Sequence, residues 1–204
     1  MKKRIGSIAS VFLLCLAAGC NYIRVSVVPS FPQGQVKRVA VLEFDYKKYR
    51  STIIDKVSHG VSTARNPGLL TASLVSVALA DWGRYDVVRR DQITLKLRAE
   101  KIPEPGVIYQ LGRAEVGRLL GVDAVVIGAI DAYESAFFLM VQSAKVVFTA
   151  RCMDVATGQE IWKMEVNMKE YYTSEERLIA AAMRQVVEQL RAKTTDAPVE
   201  KPEK

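Results

Sequence analysis

Three cysteines and one histidine hold most of the reactive side-chain chemistry in this chain of 204 residues. Cys15 and Cys20 lie near the N-terminus, Cys152 stands alone, and His59 has no second imidazole to work with. Cys152 alternates with Val146, Phe148 and Ala150, as a small apolar side chain on the inner face of a strand would. A buried structural thiol is therefore the expectation there, ahead of a nucleophile. A zinc site needs about four Cys, His or carboxylate ligands at motif spacing, and the sequence has no such set. It also has no glycine-rich phosphate loop, no Gly-x-Ser-x-Gly elbow and no His-Glu-x-x-His pair. Asp123 and Asp131 bracket one apolar run, but eight residues of strand at about 3.3 Å each keep their carboxylates too far apart to cooperate. They are expected to mark strand ends. Arg89, Arg90 and Asp91 are expected to cap and pair locally, with a place at an interface as the alternative. The chain reads as a non-enzyme without metal or cofactor.

Cys20 offers chemistry through its position. Lys2, Lys3 and Arg4 precede the apolar run Ile8–Leu16, and Ala17, Ala18 and Gly19 close it, which is the three-part pattern of an export signal. The run is too short to cross a hydrocarbon core that needs about 20 residues. Leu16-Ala17-Ala18-Gly19-Cys20 resembles the bacterial lipobox. Cleavage between Gly19 and Cys20 would leave a cysteine that receives a diacylglycerol thioether and an amide-linked acyl chain. The alternative is an ordinary secretory signal that happens to abut a cysteine. Each buried methylene is worth about 0.8 kcal/mol and stable attachment takes at least two lipid signals, so three acyl chains anchor essentially permanently. Asn21 stands where bacterial lipoproteins retained at the inner membrane have Asp. By that resemblance the expected location is the outer membrane, periplasmic side. Removing residues 1–19 takes the formal charge from +7 to +4, since only Lys2, Lys3 and Arg4 are lost. Export and this modest charge exclude nucleic acid as a partner. With Cys15 gone and Cys20 acylated, Cys152 is the one free thiol and no internal disulfide can form.

The elements that position these residues follow from periodicity. Residues 20–35 hold the lipidated cysteine and a tether with Pro29, Pro32 and Gly34, reaching at most about 50 Å. Residues 193–204 read as a disordered tail, leaving 36–192 as the folded part. Val36–Phe44 predicts a strand. Asp45–Arg65 predicts a long basic loop carrying Lys47, Lys48, Arg50, Lys56 and Arg65, either a contact surface or a solvated loop. Asn66, Pro67 and Gly83 bound a helix ending at Trp82. A short strand follows at Tyr85–Val88, then a helix capped by Asp91 that presents Ile93, Leu95 and Leu97. A third helix runs from Val107 through Leu120 to Gly121. Asp123–Asp131 is apolar on both faces, as for a central strand. Lys145–Asp154 and Ile161–Tyr172 alternate around a turn at Ala156-Thr157-Gly158, and a last helix opens at Ser174. The order β-α-β-α-α-β-β-β-α predicts a single α/β domain, a mixed sheet of about five strands with helices packed on it.

Val39–Phe44, Leu70–Trp82, Tyr85–Ile93, Leu119–Gly128 and Asp154–Trp162, in that order and spacing, resemble the CsgG-like outer-membrane lipoproteins, related in fold to the N-terminal domain of TolB. The resemblance covers most of residues 36–166. It implies a periplasmic domain that binds other envelope proteins, sometimes as rings, during secretion or assembly of surface structures; CsgG itself forms the pore for curli subunits. A pore needs membrane hairpins with strands of about 9 to 11 residues from each subunit. Tyr133–Val141 and the stretch after Trp162 leave no evident room for two, so the chain reads as a small relative without the barrel. Phe137-Phe138-Leu139-Met140 predicts a core segment or buried hairpin tip, with a partner or membrane contact as the alternative. The resulting expectation is a non-enzymatic, protein-binding accessory in assembly or secretion of cell-surface structures, able to self-associate, with Lys47, Lys48, Arg50, Phe137 and Phe138 as candidate partner surface. Its rivals are a secretion-channel subunit and a lipoprotein regulator of a peptidoglycan synthase. The second of these needs a longer tether than residues 21–35 provide. An envelope hydrolase is a further option, without a visible catalytic set.

Overall fold

The computed structural model describes residues 21–29, 34, 36–46, 66–138 and 141–195. In order, the elements are β1 (Tyr22–Val27), β2 (Arg38–Val41), β3 (Asp45–Tyr46), α1 (Pro67–Trp82), β4 (Asp86–Val87), α2 (Arg90–Ala99), α3 (Val107–Leu111), α4 (Arg113–Leu120), β5 (Ala124–Phe138), β6 (Val141–Asp154), β7 (Glu160–Tyr171) and α5 (Glu175–Thr195). They form one α/β domain. Its sheet has seven strands in the order β1-β7-β6-β5-β2-β4, with β3 pairing β5. β2 runs parallel to β4 and β5, whereas β5, β6, β7 and β1 form an antiparallel meander.

Local chemistry explains the boundaries. Asn66 Oδ1 accepts the Leu69 N–H at 3.0 Å, Pro67 opens α1, and Gly83 ends it at φ 75°. Gly68 is required by close approach, since a Cβ there would lie 2.2 Å from the Phe44 carbonyl oxygen. At the β6–β7 turn, Asp154 Oδ1 accepts the Thr157 N–H at 2.9 Å and Gly158 takes φ 72°.

Helices cover the sheet unequally. On one face, α1 and α5 pack Leu79, Leu178, Met183 and Val186 onto Val126, Val146, Phe148, Trp162 and Met164. Trp162 is fully buried, and truncating it to alanine removes about 3–5 kcal/mol. On the other face, α2, α3 and α4 bring Ile93, Leu97, Val107, Val116 and Leu120 onto Ala40, Leu42 and Val125. The start of β5 is thus buried on both sides, which is why Ala124–Val126 is a continuous apolar run. On β6 and β7 the face opposite α5 alternates to Lys145, Arg151, Lys163, Glu165 and Lys169; α2, α3 and α4 reach it only near Arg151 and Met153, and among the described residues no helix covers the rest. Among the described residues no helix is long and apolar enough to cross a membrane.

Several expectations need correction. Within residues 20–35, expected to hold the lipidated cysteine and a tether, Tyr22–Val27 is an edge strand paired with β7 from Tyr22↔Asn167 to Val27↔Trp162. Asp45–Tyr46, expected to open the basic loop, forms strand β3, and Val36–Phe44 yields only the four-residue β2. The single helix from Val107 to Leu120 is two, because Gly112 at φ 78° and ψ 162° cannot continue a helix. Leu95 points outward while Ile93 and Leu97 are buried. The last helix runs to Thr195, three residues past the expected edge of the tail.

Candidate functional site

Most reactive groups serve the fold. Cys152 lies fully buried in β6, opposite Val126 and Trp162, and burial, with the Asp154 carboxylate nearby, pushes its thiol well above the ordinary range. A thiol so placed is protonated and shielded from solvent. Tyr85, buried beneath α1, accepts the Trp162 Nε1–H at 3.3 Å, and desolvation raises its hydroxyl pKa. Asp123 Oδ2 accepts the backbone N–H groups of Lys37 at 2.9 Å and Arg38 at 2.8 Å, tying the start of β2 to the start of β5. Asp131 does not mark a strand end as expected. It sits at an irregularity between Ile130 and Ala132, and β5 runs on to Phe138 because a bulge absorbs the extra residue. Among the described residues no three His, Cys, Asp or Glu side chains gather as metal ligands.

Arg89 and Asp91 pair on the surface through Nη2 and Oδ2 at 2.8 Å, the local pairing expected of them. Arg90 turns inward instead. Its Nη1 lies 2.7 Å from Glu104 Oε1 and also donates to the Val41 carbonyl. Glu104 Oε1 accepts the Glu43 N–H at 2.8 Å as well, so one carboxylate joins α2, the end of β2 and the segment before α3. Sequence reasoning missed this pair. The signal was a lone acid between Pro103 and Pro105, whose fixed φ angles limit where its backbone can go.

Beside this ion pair a cleft of about 230 Å³ opens, lined by Leu42, Glu43, Glu104, Tyr109, Gly128 and Arg151 among others. It lies at the carboxyl end of β2, where one crossover passes over each face, the place where open α/β sheets bind ligands. Gly128 admits the Phe44 ring, which a Cβ would meet at 2.4 Å. The Arg90–Glu104 pair is neutralised internally, leaving Glu43, Asp45 and Arg151 as the charged groups of the lining.

The candidate partner surface divides. Lys47, Lys48, Arg50, His59, Gly19 and Cys20 lie outside the described residues. Phe137 and Phe138 form the last two positions of β5, opposite Gln142 and Val141; their side chains, and Leu139 and Met140, lie outside the described residues too. Asn21 is bonded twice to Lys169, through Nδ2 to its carbonyl at 3.0 Å and through Oδ1 from its N–H at 2.8 Å. Register then puts Asn21, Tyr171 and Phe137 at one end of the sheet, because Tyr171 lies opposite Ser143 and Ser143 opposite Ala136. The two lateral edges differ. The carbonyls of Ile23 and Val25 in β1 accept from Gln189 Nε2, at 3.3 Å, and Lys193 Nζ of α5, which blunts that edge. Among the described residues, β5 beyond Ile130 pairs with β6 alone.

A family model described as "Putative lipoprotein GNA1162-like" matches residues 45–202. The fold is similar to the crystal structure of lipoprotein GNA1162 from Neisseria meningitidis, with TM-score 0.57 and 16% identity, covering 76% of this chain and 99% of that one. It is similar also to a PelC dodecamer from Paraburkholderia phytofirmans, with TM-score 0.54, 14% identity and coverage of 82% and 96%. A point variant of that PelC, likewise a dodecamer, gives 0.52, 16%, 83% and 98%. No curated protein matches the sequence. The expected CsgG-like membership is therefore wrong, and curli assembly goes with it. The segments that carried the resemblance are β2, α1, β4, the start of β5 and the β6–β7 turn. Their apolar and turn residues specify an α/β topology rather than one lipoprotein family.

Proposed function

We propose, from the premise that the chain belongs to the GNA1162-like lipoprotein family, that it is a non-enzymatic accessory of the cell envelope. Residues 1–19 are removed, acyl chains on Cys20 hold it at the outer membrane on the periplasmic side, and it acts by binding other envelope proteins. The family match over residues 45–202 carries this reading. The placement of the reactive groups supports its non-enzymatic part: Cys152 is buried, Asp123 holds two backbone N–H groups, and Glu104 and Arg90 neutralise each other. The cleft beside Glu43 and Arg151 is then a pocket for a partner's side chain. The test is Cys20→Ala, followed by membrane fractionation. The expected outcome is loss of the protein from the outer membrane, and an equally membrane-held variant contradicts the reading.

Self-association is a second reading, favoured by the β5 edge. A solved PelC of similar fold is described as a dodecamer. Among the described residues the stretch of β5 after Ile130 has no strand on the side away from β6 and offers backbone groups to a second copy, while the β1 edge is capped. Light scattering in mild detergent is expected to give an oligomer that Ala136→Lys weakens. A monomer at all concentrations contradicts this reading.

A further inference from the structure

The end of the sheet next to Asn21 is not an ordinary solvated rim. Asn21 is fixed to Lys169 by two hydrogen bonds of 2.8 and 3.0 Å. Consecutive Cα atoms are about 3.8 Å apart, so anything attached to residue 20 begins beside the end of β7. Three tyrosines face outward there, Tyr22 at 41%, Tyr171 at 61% and Tyr172 at 75% exposure. Two carry a cation over the ring: the Arg24 guanidinium is 5.4 Å from the Tyr22 centroid, and the Lys169 ammonium is 5.7 Å from that of Tyr171. Lys145 lies directly across from Lys169 on β6, a like-charge pairing that works against the sheet, with Glu134 across from Lys145 on its other side. Glu165, two positions further along this face of β7, past Asn167, is engaged by Lys163 at 2.6 Å and by Arg24 at 3.7 Å.

Tyr172 adds an independent observation. Its φ is +60°, a left-handed conformation that bulky L residues avoid, and its N–H donates to the Gln142 carbonyl at 2.6 Å. The fold holds an aromatic ring outward at a strained position, although glycine would fit there without strain and burial gains the ring little.

We infer that Tyr22, Arg24, Lys145, Lys169, Tyr171 and Tyr172 form a membrane-contact surface that seats on phospholipid headgroups. Tyrosine suits this boundary because its ring is apolar and its hydroxyl polar, and lysine and arginine bury their stems while the charge reaches phosphate. The inference rests on the acylation of Cys20 proposed above, since the acyl chains bring this end to the bilayer. A tether of one residue makes the contact intramolecular, so individually weak groups suffice to fix orientation. The domain then stands end-on, with Asp123 and the β6–β7 turn pointing away from the membrane.

The test uses full-length protein extracted from membranes and reconstituted in vesicles of phosphatidylethanolamine and phosphatidylglycerol. A nitroxide is placed by Glu170→Cys beside the patch, or by Leu95→Cys on α2 as a reference; both positions are exposed, and buried Cys152 does not compete. Position 170 is expected to be about tenfold less accessible to an aqueous relaxation agent than position 95. Tyr171→Ser with Tyr172→Gly should abolish that protection while the protein stays vesicle-bound and its melting temperature does not fall. Equal accessibility at 170 and 95 in acylated protein overturns the inference, including the case in which this surface meets a protein instead. The N-terminal peptide mass from the same preparation tests the acylation separately, so the two failures are distinguishable.

Discussion

At the Asp123 end of the sheet, charged groups are satisfied within the chain. Asp123 takes two backbone N–H groups, Arg38 Nε reaches Asp86 at 3.2 Å, and Lys96 Nζ reaches the carbonyls of Leu119 and Leu120 at the C-terminus of α4. At the Asn21 end, rings and cations stand outward: Tyr22, Tyr171 and Tyr172 are exposed, and Lys145 and Lys169 face each other across two strands. One end closes the fold and the other remains available for contact. In a chain whose reactive groups are mostly structural, the end with outward rings and cations is where a partner has something to bind.

The largest effect is expected between the two ends. Glu104→Ala leaves the Arg90 guanidinium, 15% exposed, without its counter-ion and should cost about 3–5 kcal/mol in urea unfolding. A cost below about 1 kcal/mol would show that the pair does not hold the cleft together. Asp123→Ala strips the Lys37 and Arg38 N–H groups of their acceptor, for a loss of about 1–3 kcal/mol. Membrane orientation should not change, and a change would mean that the two ends of the sheet are coupled. Tyr172→Gly at the other end relieves a left-handed strain of about 1–2 kcal/mol, while glycine's added unfolded-state freedom returns about 0.4–1 kcal/mol. Stability should hold or rise by up to about 1.6 kcal/mol; a clear loss would mean that Tyr172 is structural. The smallest effect near neutrality is titration. Cys152 and Tyr85 have folded pKa values raised from the ordinary 9.0 and 10.0, so the unfolded chain releases these protons first. Their contribution is complete below about pH 9 and is lost as pH rises beyond it. Cys152→Ala should flatten the start of that alkaline decline in urea midpoints.

Short-range signals carried much of the fold. Asn66, Pro67 and Gly83 set α1, alternation set β6 and β7, and the two-sided apolar run set the start of β5. The hidden features depended on distant partners or single residues. β1 is a strand because Val25 packs against the core and Tyr22–Val27 pairs with residues some 140 positions away, and nearby prolines masked its alternation. Gly112 splits a helix whose apolar period continues across it, and Asp131 hides a bulge inside what looked like a strand end. In the candidate site, Cys152 as a buried thiol and Arg89 paired with Asp91 were legible. Arg90 with Glu104 was not, because no local spacing announces an ion pair between a helix start and a proline-bound loop. The resemblance failed for the same reason that the fold succeeded: apolar patterning encodes topology, and many lipoprotein families share one.

The most direct test of the account is the mass of the N-terminal peptide from protein extracted out of native membranes. The predicted result is a peptide that begins at Cys20 and carries a diacylglycerol thioether with an amide-linked acyl chain. An unmodified Cys20, or a chain that retains residues 1–19, would contradict the lipid anchor and the orientation built on it.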